Sequence, residues 1–245
     1  MADLPILFSA PMVRALIAGT KTQTRRTFGK LRRFGPIHQF GISDTPGYAW
    51  HFRDGSGRFH DLRGGELLKY LPYKVGDRLY VREAWRVSQQ WNLTAPRDLP
   101  ARRMTIFCEA GGSIANQASG RWEPDNDYPP FRPDWVGKMR QGMHMPKWAS
   151  RITLIVEGVK VERLRDISEA DAIAEGADIS PHHRSQITGG PMVKVGPGTY
   201  MSPIAWYHRL WDDINGAEAW NANPWVVAYT FRRIMGNIDM IEAAA

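Results

Sequence analysis

Cysteine is nearly missing: Cys108 is the single one in 245 residues. One thiol excludes an internal disulfide framework and fits a reducing cytoplasm. No run of about 18 apolar residues occurs, so no membrane-spanning helix is expected. The opening "MADLPILFSAP" has no basic leader, and its apolar run is too short for a secretory signal. The seven histidines are scattered. His182 and His183 sit in a Gly/Pro-rich loop without a third ligand at metal spacing, so neither a metal nor a cofactor is expected. Internal repeats are absent, and so is the glycine-rich lead of a phosphate-binding loop.

Positive charge is plentiful. The net charge is +7, and Arg25, Arg26, Arg32 and Arg33 fall early in the chain. That balance suits an anionic partner, a nucleic acid or nucleotide, or simply a basic soluble surface. With 43% hydrophobic residues, the length supports one large domain over 1–245 with its own core.

"SAPMVRALIAG" reads as a helix of about two turns, with Ser9 as cap, Pro11 in the first turn and Gly19 ending it. "VGDRLYVREAWRV" alternates as a strand, with Leu79, Val81, Trp85 and Val87 on one face. "RMTIFCEA" is a second short strand, in which Cys108 reads as core. "SRITLIVEGVKVERL" is strand-like on both sides of Gly158, either bent or in two pieces. "DISEADAIAEGA" is a helix capped through Ser168 and Asp171 and ended by Gly176. "SPIAWYHRLWDDIN" is another helix, and "PWVVAYTFRRI" a buried closing strand. Residues at about 27–73, 88–147 and 178–200 read as loop-rich insertions, the first with a hairpin at most. Four to six strands with helices between them, in no regular βαβ rhythm, point to an α+β fold: a small mixed sheet or barrel with helices at its ends.

Three places depart from what an inert scaffold would choose. Glu83 interrupts the apolar face of its strand, so it needs a cation, a donor or a solvent-filled cavity. Either a structural ion pair with an arginine or a ligand-facing role satisfies that need. Glu175 stands in the last turn of its helix, where the dipole disfavours a carboxylate by roughly 0.3–1 kcal/mol. "GTKTQTRR", residues 19–26, crowds hydroxyl and cationic side chains behind a helix. There, Lys21 and Thr24 share a face if the chain turns and take opposite faces if it is extended. A lysine beside a hydroxyl is a way to activate a nucleophile, provided burial or nearby cations lower the lysine pKa. The other reading is a solvated turn.

Four segments, "LIAGTKTQTRR", "YKVGDRLYVRE", "SRITLIVEGVKVERLRDISEADAIAEG" and "NPWVVAYTFRRI", resemble the ASCH domain of the PUA-like β-barrel superfamily. "VREAW", "MPKWASRI" and "AEG" look like a longer phage- and prophage-associated branch. The resemblance implies a small barrel and, by similarity to the amidohydrolases that cleave N4-acetylcytidine, a metal-independent hydrolase of carbon–nitrogen bonds. It maps the catalytic lysine, threonine and glutamate onto Lys21, Thr24 and Glu175. Arg26, Glu83 and Trp85 are the candidates for holding the base and acyl oxygen. A modified cytosine nucleoside is the implied small-molecule partner. The alternative is a PUA-like RNA-binding module, with or without ribonuclease action, whose partner is a nucleic acid.

Overall fold

A computed structural model of the chain describes residues 2–101, 104–114 and 133–241. The chain runs through β1 (Asp3–Leu7), α1 (Ala10–Ala18), β2 (Gln23–Thr27), β3 (Lys30–Leu31), β4 (Gly35–Ile42), β5 (Trp50–Asp54), β6 (Phe59–Leu62) and α2 (Leu67–Tyr70). It continues through β7 (Arg78–Arg82), β8 (Trp85–Arg86), β9 (Ile106–Cys108), β10 (Ser113–Ile114) and β11 (Ile152–Arg163). Then follow α3 (Glu169–Ala174), β12 (Ile179–Arg184), β13 (Pro191–Gly196), β14 (Thr199–Met201), α4 (Pro203–Asn215) and β15 (Trp225–Met235). The fold is mixed α+β, with mostly strands. None of the sheets formed by the described residues closes into the small barrel expected from the sequence; each has free edge strands. No helix among the described residues is long and apolar enough to cross a membrane.

Two compact units emerge from the contacts. One comprises 1–19, 76–155 and 231–245, the other 20–75 and 156–230. In the first, β1 lies parallel to β7, with Ile6 opposite Val81, and β11 begins antiparallel to β7, with Leu154 opposite Leu79. The single strand read from "VGDRLYVREAWRV" is two, β7 and β8, in different sheets, but its alternation holds: Leu79, Val81, Glu83, Trp85 and Val87 are all buried. Trp85 and Val87 pack with Leu99, Met104, Ile106, Cys108, Ile114, Met145 and Ala149. Each fully buried side chain of this size contributes about 1.5–3 kcal/mol over leaving it in water.

In the second unit β2 pairs antiparallel with β15, Thr24 opposite Tyr229 and Arg26 opposite Val227. Leu164, Ile167, Ala172, Tyr207, Trp211, Trp220 and Val226 form its α3–α4 core. Ser9 stands at the start of α1 as expected but its side chain makes no capping bond; α3 and α4 are capped by side chains. Ser168 Oγ accepts from the Asp171 N–H at 3.1 Å, and Ser202 Oγ from that of Ala205 at 3.3 Å. Gly19, in the first unit, ends α1 at φ +84°.

Two stretches read as loop-rich are strands instead. Residues 27–73 contain the four-stranded sheet β3–β4–β5–β6, and residues 178–200 the three-stranded sheet β12–β13–β14. The first sheet is held by rings: Phe28 stacks on Phe40 at 4.4 Å, Phe40 on Trp50 at 5.4 Å, and Phe52 on His60 at 4.9 Å. Ring stacking packs a sheet without the aliphatic alternation that marks a half-buried strand. Within the 88–147 excursion, residues 115–132 lie outside the described residues. Arg103, the first residue of the "RMTIFCEA" strand, does too, and the observed strand is Ile106–Cys108.

Candidate active site

The site belongs to the second unit and starts from its backbone. Just before β2, the Thr22 N–H donates to the Ala174 carbonyl at 2.8 Å, and Lys21 forms an antiparallel bridge with Glu175. Helix α3 stops there because Gly176 takes φ +106°, a left-handed conformation open to glycine. A carboxylate at that helix end is therefore set against a lysine 154 residues away in sequence. Lys21 Nζ donates to Glu175 Oε2 at 2.8 Å and to the Glu175 carbonyl at 2.8 Å. The two side chains are 0% and 2% exposed.

Arg25 supplies a second cation. Its Nη1 donates to Glu175 Oε1 at 3.2 Å and its Nε to Glu162 Oε1 at 2.9 Å. Its Nη2 pairs with Asp171 Oδ2 at 3.1 Å. Gln23 Nε2 donates to Asp171 Oδ1 at 3.2 Å, and Lys160 Nζ sits 2.6 Å from Glu162 Oε2. Lys21, Arg25 and Lys160 thus face Glu162, Asp171 and Glu175, which balances the cluster. Four of them, Lys21, Arg25, Glu162 and Glu175, are buried, and that pairing is what lets them lie in the interior, with Asp171 and Lys160 nearer to solvent.

Burial pushes the Lys21 pKa below its usual 10.5. Glu175 offsets part of that fall, while Arg26 and Arg25 add to it. Burial, with the Glu175 carboxylate against it, holds the Tyr207 phenol well above its ordinary range, so that neighbour stays protonated. Asp171 moves the other way: burial raises it, but Arg25 and hydrogen bonds outweigh burial and the net shift is down. The result is a buried lysine whose charged form is less favoured than in water, hydrogen-bonded to a buried carboxylate.

The remaining sequence candidates separate. Thr24 is 3% exposed and lies within β2. Extended backbone puts Thr24 and Arg26 on one face and Gln23 and Arg25, the residues that meet the α3 carboxylates, on the other. Half-buried Arg26 lines a pocket together with Tyr229.

Glu83 and Trp85 belong to the first unit. Both Glu83 oxygens are taken by Arg151, Nε to Oε1 at 2.7 Å and Nη2 to Oε2 at 2.9 Å, so the ion-pair reading describes it. Trp85 is 0% exposed among aliphatic side chains with the Arg140 guanidinium 5.6 Å from its ring. In this structure it is a core residue, with no face open for stacking on a base.

Sequence reasoning passed over Glu162, Tyr207 and the pairing of Arg25. Glu162 shares strand parity with the buried Leu154 and Val156, but Gly158 and exposed Lys160 break that stripe before it, so it lacks the signal that exposed Glu83. Among the described residues no three His, Cys, Asp or Glu side chains gather as a metal site. Comparison with protein-family models, with curated proteins and with solved structures gives no match.

Proposed function

We propose that the chain is an ASCH-like amidohydrolase that removes acyl groups from the N4 amino group of cytosine nucleosides. The observation that supports this most is the buried Lys21–Glu175 pair, joined at 2.8 Å between segments distant in sequence. In the proposed cycle, neutral Lys21 takes a proton from the attacking oxygen, and the ammonium so formed stabilises the tetrahedral oxyanion. Glu175 orients Lys21 and relays the proton to the leaving N4. The bond broken is the amide C–N. Water supplies the hydroxyl of the carboxylic acid and the hydrogen of the amine. The resemblance makes Thr24 the nucleophile or the residue that orients the water, but β2 turns it to the face opposite Gln23 and Arg25, so the proposal rests on Lys21 and Glu175.

The test follows cytidine release from N4-acetylcytidine by wild type, Lys21→Ala, Thr24→Ala and Glu175→Ala. The proposal expects release by wild type and a loss of about 100-fold or more on removing the general base. Equal rates in all four proteins would end it.

A second reading, nucleic-acid binding, is favoured by rings and guanidinium groups paired on the surface of the second unit. Phe59 is 62% exposed with Arg53 5.6 Å from its ring, and Arg63 lies 5.9 Å from the ring of Tyr48. Such pairs suit stacking on unpaired bases. A salt-sensitive shift of single-stranded RNA without nucleoside turnover would support that reading over hydrolysis.

A further inference from the structure

The end of β2, at Arg26 and Thr27, borders a pocket of about 240 Å³ in the second unit. Arg26, Phe28, Lys30, Tyr73, Val227 and Tyr229 are among its walls. Tyr229 is 1% exposed, and the Tyr73 ring meets it edge-on at 5.2 Å. Phe28 is fixed by its stack on Phe40. The aromatic surface is therefore held in place before any ligand arrives, which keeps the ordering cost of binding low. Burial, partly opposed by a hydrogen bond with the Tyr73 backbone, raises the Tyr229 pKa, so its hydroxyl stays neutral.

Charge around the pocket has one sign. Half-buried Arg26 and exposed Lys30 bring cations to it, and no Asp or Glu is among its described lining residues. The volume lies below the roughly 300–1,000 Å³ of sites for drug-sized ligands. A base with its ribose inside and a phosphate at the rim beside exposed Lys30 suits that size, and a dinucleotide does not.

We propose that this pocket binds a mononucleotide, its base against half-buried Tyr73 and Phe28, with buried Tyr229 behind them, and its phosphate on Arg26 and Lys30. Aromatic walls recognise the planar ring, and charge-assisted hydrogen bonds hold the phosphate. The pocket binds its ligand whether or not Lys21 and Glu175 cut an amide, so the two readings fail separately.

The experiment is calorimetric titration of the full chain at low salt with cytidine 5′-monophosphate, cytidine and inorganic phosphate. The nucleotide is expected to bind about tenfold or more tighter than cytidine, the equivalent of one good charged contact. Lys30→Ala, at an exposed position that leaves the core intact, is expected to narrow that ratio without changing cytidine binding. Lys30→Glu is expected to narrow it further, and Tyr73→Ser to weaken nucleotide and nucleoside together. Equal affinity for cytidine and its monophosphate would overturn the proposal. So would inorganic phosphate binding as tightly as the nucleotide, or no binding of any of the three.

Discussion

Replacing Lys21 with methionine keeps most of the side-chain volume and deletes the charge. Glu175 would retain Arg25 at 3.2 Å but lose its 2.8 Å partner, and its carbonyl would lose a donor. The side chains are 0% and 2% exposed, so water cannot take over the vacated bonds. Breaking a buried pair from one side costs about 3–5 kcal/mol, and the surviving Arg25 contact argues for the lower end, about 3 kcal/mol. Glu175→Gln should cost less, about 1–3 kcal/mol, because the amide oxygen still accepts and Lys21 can shed its proton. The double variant, with neither charge present, is expected to fall short of the sum by about 1–3 kcal/mol of coupling. Urea unfolding followed by far-ultraviolet circular dichroism measures all four corners of the cycle. If Lys21→Met were within about 1 kcal/mol of wild type, or the two changes strictly additive, the buried pair would not exist in solution.

Other outcomes follow from the same structure. Arg151→Met strands the Glu83 carboxylate, 1% exposed, and should destabilise the chain by about 3–5 kcal/mol in urea, with Glu83→Gln in that background recovering part of the loss. Burial lifts the Cys108 thiol far above its usual pKa, so a thiol-directed chromogenic reagent should label it slowly in the native chain and promptly in denaturant. Lys21 and the tyrosines act in opposite senses on alkaline stability. Between the lowered Lys21 pKa and its usual 10.5 the unfolded chain binds the extra proton, so stability rises with pH, and Lys21→Met should lack that rise. Tyr207 and Tyr229 ionise later when folded than when unfolded, so above about pH 10 each removes up to about 1.4 kcal/mol per pH unit, readable as a falling melting temperature.

The helices were legible from short-range chemistry. Ser168, Gly176 and Gly19 stand where cap rules put them, because caps satisfy backbone groups within a few residues of themselves, whereas Ser9 holds its place without a side-chain bond. The long strands β11 and β15 were legible from their apolar runs. The sheets at 27–73 and 178–200 were not, since stacked rings and short strands leave no run of alternating aliphatic residues. At the site, strand parity marked Glu83 as misplaced and left both of its fates open; Arg151 lies too far along the chain for any local pattern to name it. The distance in sequence between Lys21 and Glu175 likewise hides their bridge from spacing, and only resemblance joined them. Parity also held the warning that an extended "KTQT" separates Lys21 from Thr24. The backbone over 23–27 is extended, and the faces of Thr24 and Arg25 diverge accordingly.

The most direct test is the pH dependence of kcat/KM for cytidine release from N4-acetylcytidine, from neutral into alkaline solution, for wild type and Glu175→Gln. If Lys21 is the base, the rate rises with pH through one ionisation below 10.5, and removing the Glu175 charge moves that ionisation lower while reducing the plateau. A pH-independent rate, an ionisation unmoved by the substitution, or no cytidine released at any pH would contradict it.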